Sequence, residues 1–290
     1  MSKADDIFIQ NANDIFTHGT NTMNEDVRTI WPDTKEKAYT IKKFGVCNFY
    51  DLRDEFPAIT LRKTGIKSAI AEILWIFQKK SNNIHDLTLN GKPIHIWDKW
   101  ADEDGSIGKA YGYQIGHQKT YDYASGKFFD QIDYVLHQLK NTPYSRRILT
   151  TIYNPSELHL MNLAPCCWNL TFNVTDEGYD KLVLNMVLNQ RSNDMLAANN
   201  WNVVQYSALL MMIAQVSNMI PGKLMHVIVD QHIYDRHVPI MAELIKRPTF
   251  DAPTVTLDPD INNFYNFTPN SFVIENYKAG EQIKDIPIAI

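Results

Sequence analysis

The chain has 290 residues, 44% hydrophobic and 21% charged, with a formal net charge of −5 and only three cysteines, Cys47, Cys166 and Cys167. Such a balance suits one folded domain over residues 1–290 with a sizeable core, and its acidic surplus excludes a general attraction to DNA or RNA, though not a local basic pocket. Three thiols exclude a disulfide framework, and the longest apolar run, "YSALLMMIAQVSNMI", is broken by Gln215, Ser217 and Asn218, so a cytoplasmic protein with no membrane span is expected.

The segment up to about Met23 reads as an amphipathic helix. Lys67 to Lys80, "KSAIAEILWIFQKK", has apolar residues at helical spacing and a basic end that suits a helix C-terminus. The run "IHIWDKWADEDGSIGKAYGYQIG" is loop-like and richer in aromatics than a surface connection needs. "DQIDYVLHQLKNTP" predicts a helix closed by Pro143, and "SRRILTTIY" turns to β-branched residues and predicts a strand. "CCWNLTFNVTDEGYDKLVLNMVLNQ" has two apolar runs around a turn near Asp176–Gly178, a hairpin pattern. "NVVQYSALLMMIAQVSNM" is apolar on nearly every side and predicts a central buried helix, and "KLMHVIVDQHIYDRH" predicts a strand with a polar, aromatic end. The rest carries scattered prolines and short strand-like pieces down to "PIAI". Strands and helices mix without strict alternation, which points to an α+β layered fold.

The adjacent Cys166 and Cys167 admit three readings: a reactive thiol, a metal pair, or two small core residues at a strand start. No spaced partner of the zinc type accompanies them, and neighbours on a strand face opposite ways, so at most one can enter a given pocket. A thiol becomes nucleophilic beside a cation. Candidates are Arg28, the pair Arg146 and Arg147, and Arg191, which Ser192 follows as in an anion-binding end of a strand. His232 and Tyr234, two apart, share a strand face.

Taken together, "PYSRRI", "LAPC", "RSND", "WNVVQYSALLMMIAQ", "DQHIYDRH" and the terminal "PIAI" resemble the thymidylate synthases, in order and from about Val27 to Ile290. The resemblance implies a layered α+β fold with a large mixed β-sheet packed by helices, paired through its sheet face as a homodimer. It implies methylation of dUMP at C5 with 5,10-methylenetetrahydrofolate as co-substrate and no metal. It implies Cys166 as the nucleophile and Cys167 as structural. Arg191, Ser192 and Arg28 would hold the phosphate, with Arg146 and Arg147 reaching the partner's phosphate. Asn202 would read uracil, His232 and Tyr234 the deoxyribose. Glu72 would organise proton transfers, with Tyr111 near the C5 proton. Trp97, Asp194, Trp201 and Ile290 would meet the folate, and Arg62 and Lys63 its anionic tail.

The chain departs from the family pattern after "RSND", where Leu-Gly-x-Pro-Phe-Asn is usual and "LAANNWN" stands here: Ala197, Ala198, Asn200 and Trp201 are the changed residues. Val229 replaces a glycine before the histidine. These departures are expected near the folate. They leave two alternatives to the synthase: a hydroxymethyltransferase, in which water rather than hydride captures the methylene, and a non-catalytic protein that binds nucleotide or RNA.

Overall fold

A computed structural model describes residues 2–290. Helix α1 (Lys3–His18) is started by Ser2, whose hydroxyl accepts from the Ala4 N–H, and by acidic residues in the first turn. Its buried residues Phe8, Ala12 and Ile15 recur at helical spacing. It stops at His18, short of Met23, because Gly19 turns extended with its N–H on Ile15 O. A β-carbon on Gly19 would lie 2.4 Å from that carbonyl, so only glycine fits this approach.

A six-stranded sheet follows. Its strands are β1 (Thr20–Asn21), β2 (Thr40–Asp51), β3 (Leu149–Thr151), β4 (Cys167–Thr175), β5 (Val183–Asp194) and β6 (Ile220–Tyr234), in the order β1-β2-β6-β5-β4-β3. All neighbours are antiparallel except β5 and β6, which run parallel. A parallel pair cannot be closed by a tight turn. The crossover is supplied by α5 (Asn199–Val216), the expected central buried helix. The expected hairpin is β4–β5, with Gly178 at φ +80 in its turn. Strand β2 had no counterpart in the sequence reading: Lys42 and Lys43 break its alternation, each held by an acidic partner, and Gly45 at φ +73 interrupts it.

Helices α1 and α5 cover one face of the sheet, and α2 (Ile66–Phe77) packs on α5. Ten of the twelve α2 residues are buried, among them Glu72, the only carboxylate. The aromatic stretch after it is folded rather than loose: His95–Trp100 is a 3-10 turn, and Gly112–His117 forms the short α3. Helix α4 (Gln131–Asn141) is capped by Asp130, which accepts from the Asp133 N–H. Helix α6 (Val238–Leu244) follows β6, and three two-stranded ladders complete the chain. Among the described residues no helix is long and apolar enough to cross a membrane.

Candidate active site

A cavity opens where the parallel strands β5 and β6 end, lined by Thr22, Thr40, Arg191, Ser192, His232 and Tyr234 among others. Carboxyl ends of parallel strands are where ligand crevices arise in open sheets. The two adjacent cysteines separate here. Strand β4 begins at Cys167, which points into the core, while Cys166 lies in the preceding bend and is partly exposed.

Arg191 braces that bend. Its Nε donates to Pro165 O at 3.0 Å and its Nη2 to Ala164 O at 2.7 Å, with Nη2 also 3.7 Å from Cys166 Sγ. Its backbone N–H donates to Cys166 O at 2.9 Å. Burial pushes the Cys166 thiol up, and Arg191 and then Arg28 pull it back without cancelling the rise. Arg191 therefore favours the thiolate, as expected, but does not by itself overcome burial. Tyr111 completes this side: its hydroxyl accepts from the Cys166 N–H at 3.3 Å. Tyr111 stands at φ +46, a strained setting for a bulky residue, and its ring meets Trp97 edge-on at 4.8 Å.

Glu72 is 6% exposed, so it is not a solvent-facing helix carboxylate. Trp97 Nε1 donates to its Oε1 at 2.9 Å and Trp201 Nε1 to its Oε2 at 2.6 Å. Burial raises the carboxyl above its ordinary range, while Trp201, Trp97 and, more weakly, the Gln205 amide oppose that rise. Gln205 Nε2 nevertheless has no partner in hydrogen-bond geometry.

A chain of amides orients Asn202. The Ser192 carbonyl can only accept, so the Gln190 atom 2.9 Å from it is the donor Nε2. That same Nε2 donates to Asn202 Oδ1 at 3.1 Å, and Asn202 Nδ2 then donates to Gln205 Oε1 at 3.1 Å. At the other end Gln190 Oε1 lies 2.7 Å from His226 Nε2, which must carry the proton. Complete burial pushes His226 down to about 3, so this imidazole is neutral. Gln190, Gln205 and His226 were missed from the sequence. Their only signal there was polarity inside apolar elements.

His232 and Tyr234 do share a face, with ring centroids 5.0 Å apart, and Asp230 orients His232 Nδ1 at 2.7 Å. Arg28 is exposed in the loop before β2. The C-terminal tail lies against that loop: the N–H of Ile30 donates to Ile290 O at 2.9 Å and the N–H of Ile290 to Ile30 O at 3.0 Å. His237, another residue not anticipated, is 2.7 Å from Pro287 O through Nε2 and 3.4 Å from Asp194 through Nδ1. Burial would raise the Asp194 carboxyl, but His237, His232 and the Ala197 N–H outweigh it and hold it below the ordinary range.

Other expected residues stand further off. Arg62 turns inward and donates to Leu196 O beside Asp194, whereas Lys63 is exposed. Arg146 and Arg147 are exposed in a turn before β3, with Arg147 stacked 5.4 Å over Tyr123, and do not line this chain's own cavity. Val229 is 49% exposed on β6, between buried Ile228, which pairs with Gln190, and the cavity residue Asp230, which pairs with Ser192. Asn200, by contrast, is a tie. Its Oδ1 accepts from Ile59 N at 3.2 Å and Thr64 Oγ1 at 2.9 Å, and its Nδ2 donates to Pro57 O at 3.0 Å.

Comparison with known proteins points to one family. The family profile described as thymidylate synthase matches residues 6–289. The thymidylate synthase of Bacillus subtilis subsp. natto is 40% identical over 270 residues, covering 93% of each chain. That of Bacillus phage phi3T is 39% identical over the same share. The solved thermostable thymidylate synthase A from Bacillus subtilis superposes with a TM-score of 0.89 at 39% identity, covering 99% of both chains.

Proposed function

The chain belongs to the thymidylate synthase family, and we propose on that basis how its cavity carries out the methylation of dUMP to dTMP. The observation that carries the reading is the Cys166 thiol held at 3.7 Å from the guanidinium of Arg191, a residue that itself lines the cavity. The thiolate of Cys166 adds to C6 of the uracil ring, which makes C5 the nucleophile. Methylenetetrahydrofolate would supply the one-carbon unit and then the hydride, leaving as dihydrofolate, after which expulsion of the Cys166 thiolate from C6 restores the C5–C6 double bond. Arg191, Ser192 and Arg28 hold the dianionic phosphate, and His232 and Tyr234 the deoxyribose hydroxyl. Asn202 presents Oδ1 to the uracil N3–H and Nδ2 to O4, one amide matching one acceptor–donor edge. Glu72 and Tyr111 manage the proton that leaves C5.

The residues facing the folate side fit such a group. Asp194, kept ionised, suits the N–H edge of a pterin, and the indoles of Trp97 and Trp201 offer apolar surface beside it. Arg62 would serve its anionic end, and Ile290 would close the site against water. The site is completed by a second copy, whose Arg146 and Arg147 would reach the phosphate. Phe44, Phe49 and Val229, 84%, 58% and 49% exposed on the sheet, support pairing through that face. One catalytic domain acting in the cytoplasm accords with three unpaired cysteines.

The test is product analysis by mass spectrometry with dUMP and methylenetetrahydrofolate, following dihydrofolate by absorbance. The expected result is dTMP formed in step with dihydrofolate. Hydroxymethyl-dUMP without dihydrofolate would overturn the reductive step, and bound dUMP with no product would overturn catalysis.

A further inference from the structure

Trp201 departs from the family pattern in a way that creates a contact a phenylalanine could not make. It stands in the first turn of α5, and its Nε1 reaches Glu72 Oε2 at 2.6 Å across to α2. The indole packs on the turn that opens α2: a β-carbon at Gly65 would lie 3.4 Å from Cζ3 of Trp201, in van der Waals contact. Asn200, one residue earlier, ties the same turn of α5 to Pro57, Ile59 and Thr64 by three hydrogen bonds. The position of the indole is thus fixed from both sides.

The chemistry of the contact follows from the donor. An indole N–H donates and never accepts. With Trp97 on Oε1 and Trp201 on Oε2, both oxygens of Glu72 face groups that cannot accept a proton from it. The ionised carboxylate uses both contacts fully, whereas the neutral acid must direct its own O–H elsewhere in a buried setting. Two donors on opposite oxygens also fix the plane of the carboxyl, which one donor would leave free to swing.

We propose that Trp201 is a positioning residue in this chain, locking the plane of the Glu72 carboxyl and favouring its ionised form through a second indole hydrogen bond. The proposal rests on the reading that Glu72 handles protons at the site, and it identifies what tunes that group here. It also gives one of the changed residues of "LAANNWN" a function rather than a space-filling role.

The test is a pH titration by difference infrared spectroscopy of the protein as isolated, with Glu72→Gln used to assign the carboxyl band. Removing a donor destabilises the anion, so in Trp201→Phe the Glu72 band should titrate at higher pH, by about one unit. An unchanged midpoint would overturn the proposal whether or not the protein is active. Trp201→Leu also lacks the N–H and must shift in the same direction, which keeps the test decisive should one variant fold poorly. The kinetic counterpart is an acidic limb of kcat displaced upward in Trp201→Phe with KM for dUMP unchanged. A loss of kcat that is uniform across pH would overturn it equally. Failure of the wild type to form dTMP would sink the reaction scheme and leave the infrared result to decide the role of Trp201.

Discussion

At the residue scale, adjacent cysteines divide the labour of one dipeptide. Cys167 is enclosed and its thiol is driven well above the ordinary range by burial, whereas Cys166 meets two guanidinium charges. Cys166→Ser is expected to abolish turnover, with Cys167→Ser retaining most of it; the reverse result would move the nucleophile. The sign for pH follows from the opposing pulls. Burial wins at Cys166, so its alkylation by iodoacetamide should accelerate up to pH values above the ordinary thiol range. Arg191→Ala removes a cation that favours the thiolate, so its midpoint should rise further; a fall would contradict the electrostatic role of Arg191. The cysteine, the arginines and Asn202 could be proposed from the sequence because chemistry and motif coincide in them. Gln190, Gln205 and His226 were not, because their role is an order of donors and acceptors that exists only once β5, β6 and α5 are packed together.

At the element scale, periodicity located what is long and apolar. Helices α2, α4 and α5, the β4–β5 hairpin and β6 all fall where the spacing placed them. Strand β2 escaped because its stability comes from pairing with β6 along nearly its whole length, and its lysines are neutralised by Glu25 and Asp14 from outside the strand. The link between the start of α5 and residues 57–64 was equally hidden, since proline is the expected residue where Asn200 stands. Asn200→Ala would leave the Ile59 N–H and Pro57 carbonyl buried without partners and should cost about 2–3 kcal/mol of stability in denaturant unfolding. Because that segment carries Arg62, KM for the folate should rise more than KM for dUMP. Equal stability would show that water replaces the amide.

At the scale of the whole molecule, Arg146 and Arg147 are the residues that the isolated chain leaves without a task. They lie away from the cavity of their own chain, yet they recur at the place where the family resemblance puts a phosphate ligand for the other subunit. Mixing Cys166→Ser subunits with Arg146→Ala/Arg147→Ala subunits tests this. Each parent should be nearly inactive, and random re-pairing should restore about a quarter of wild-type activity, since half the pairs are mixed and each contains one complete site of two. No recovery after verified exchange would mean that each subunit supplies its own arginines. The overall layering was legible from the mix of elements. In the sequence the proposed pairing through the sheet face rests on the family resemblance alone, because an outward sheet face carries no periodic sign of what covers it.

The reciprocal backbone bonds between Ile30 and Ile290 join the last residue of the chain to the loop that carries Arg28. Ile290 is therefore held in place by the backbone of that loop. Anything fused beyond Ile290, such as an affinity handle or a reporter domain, would continue from a segment paired with the loop whose Val27 and Thr29 line the cavity, and would crowd that loop. A handle at the other end would begin beside Ser2, whose hydroxyl caps α1 and which does not line the cavity. The orientation of a recombinant fusion thus becomes a biochemical variable for this protein.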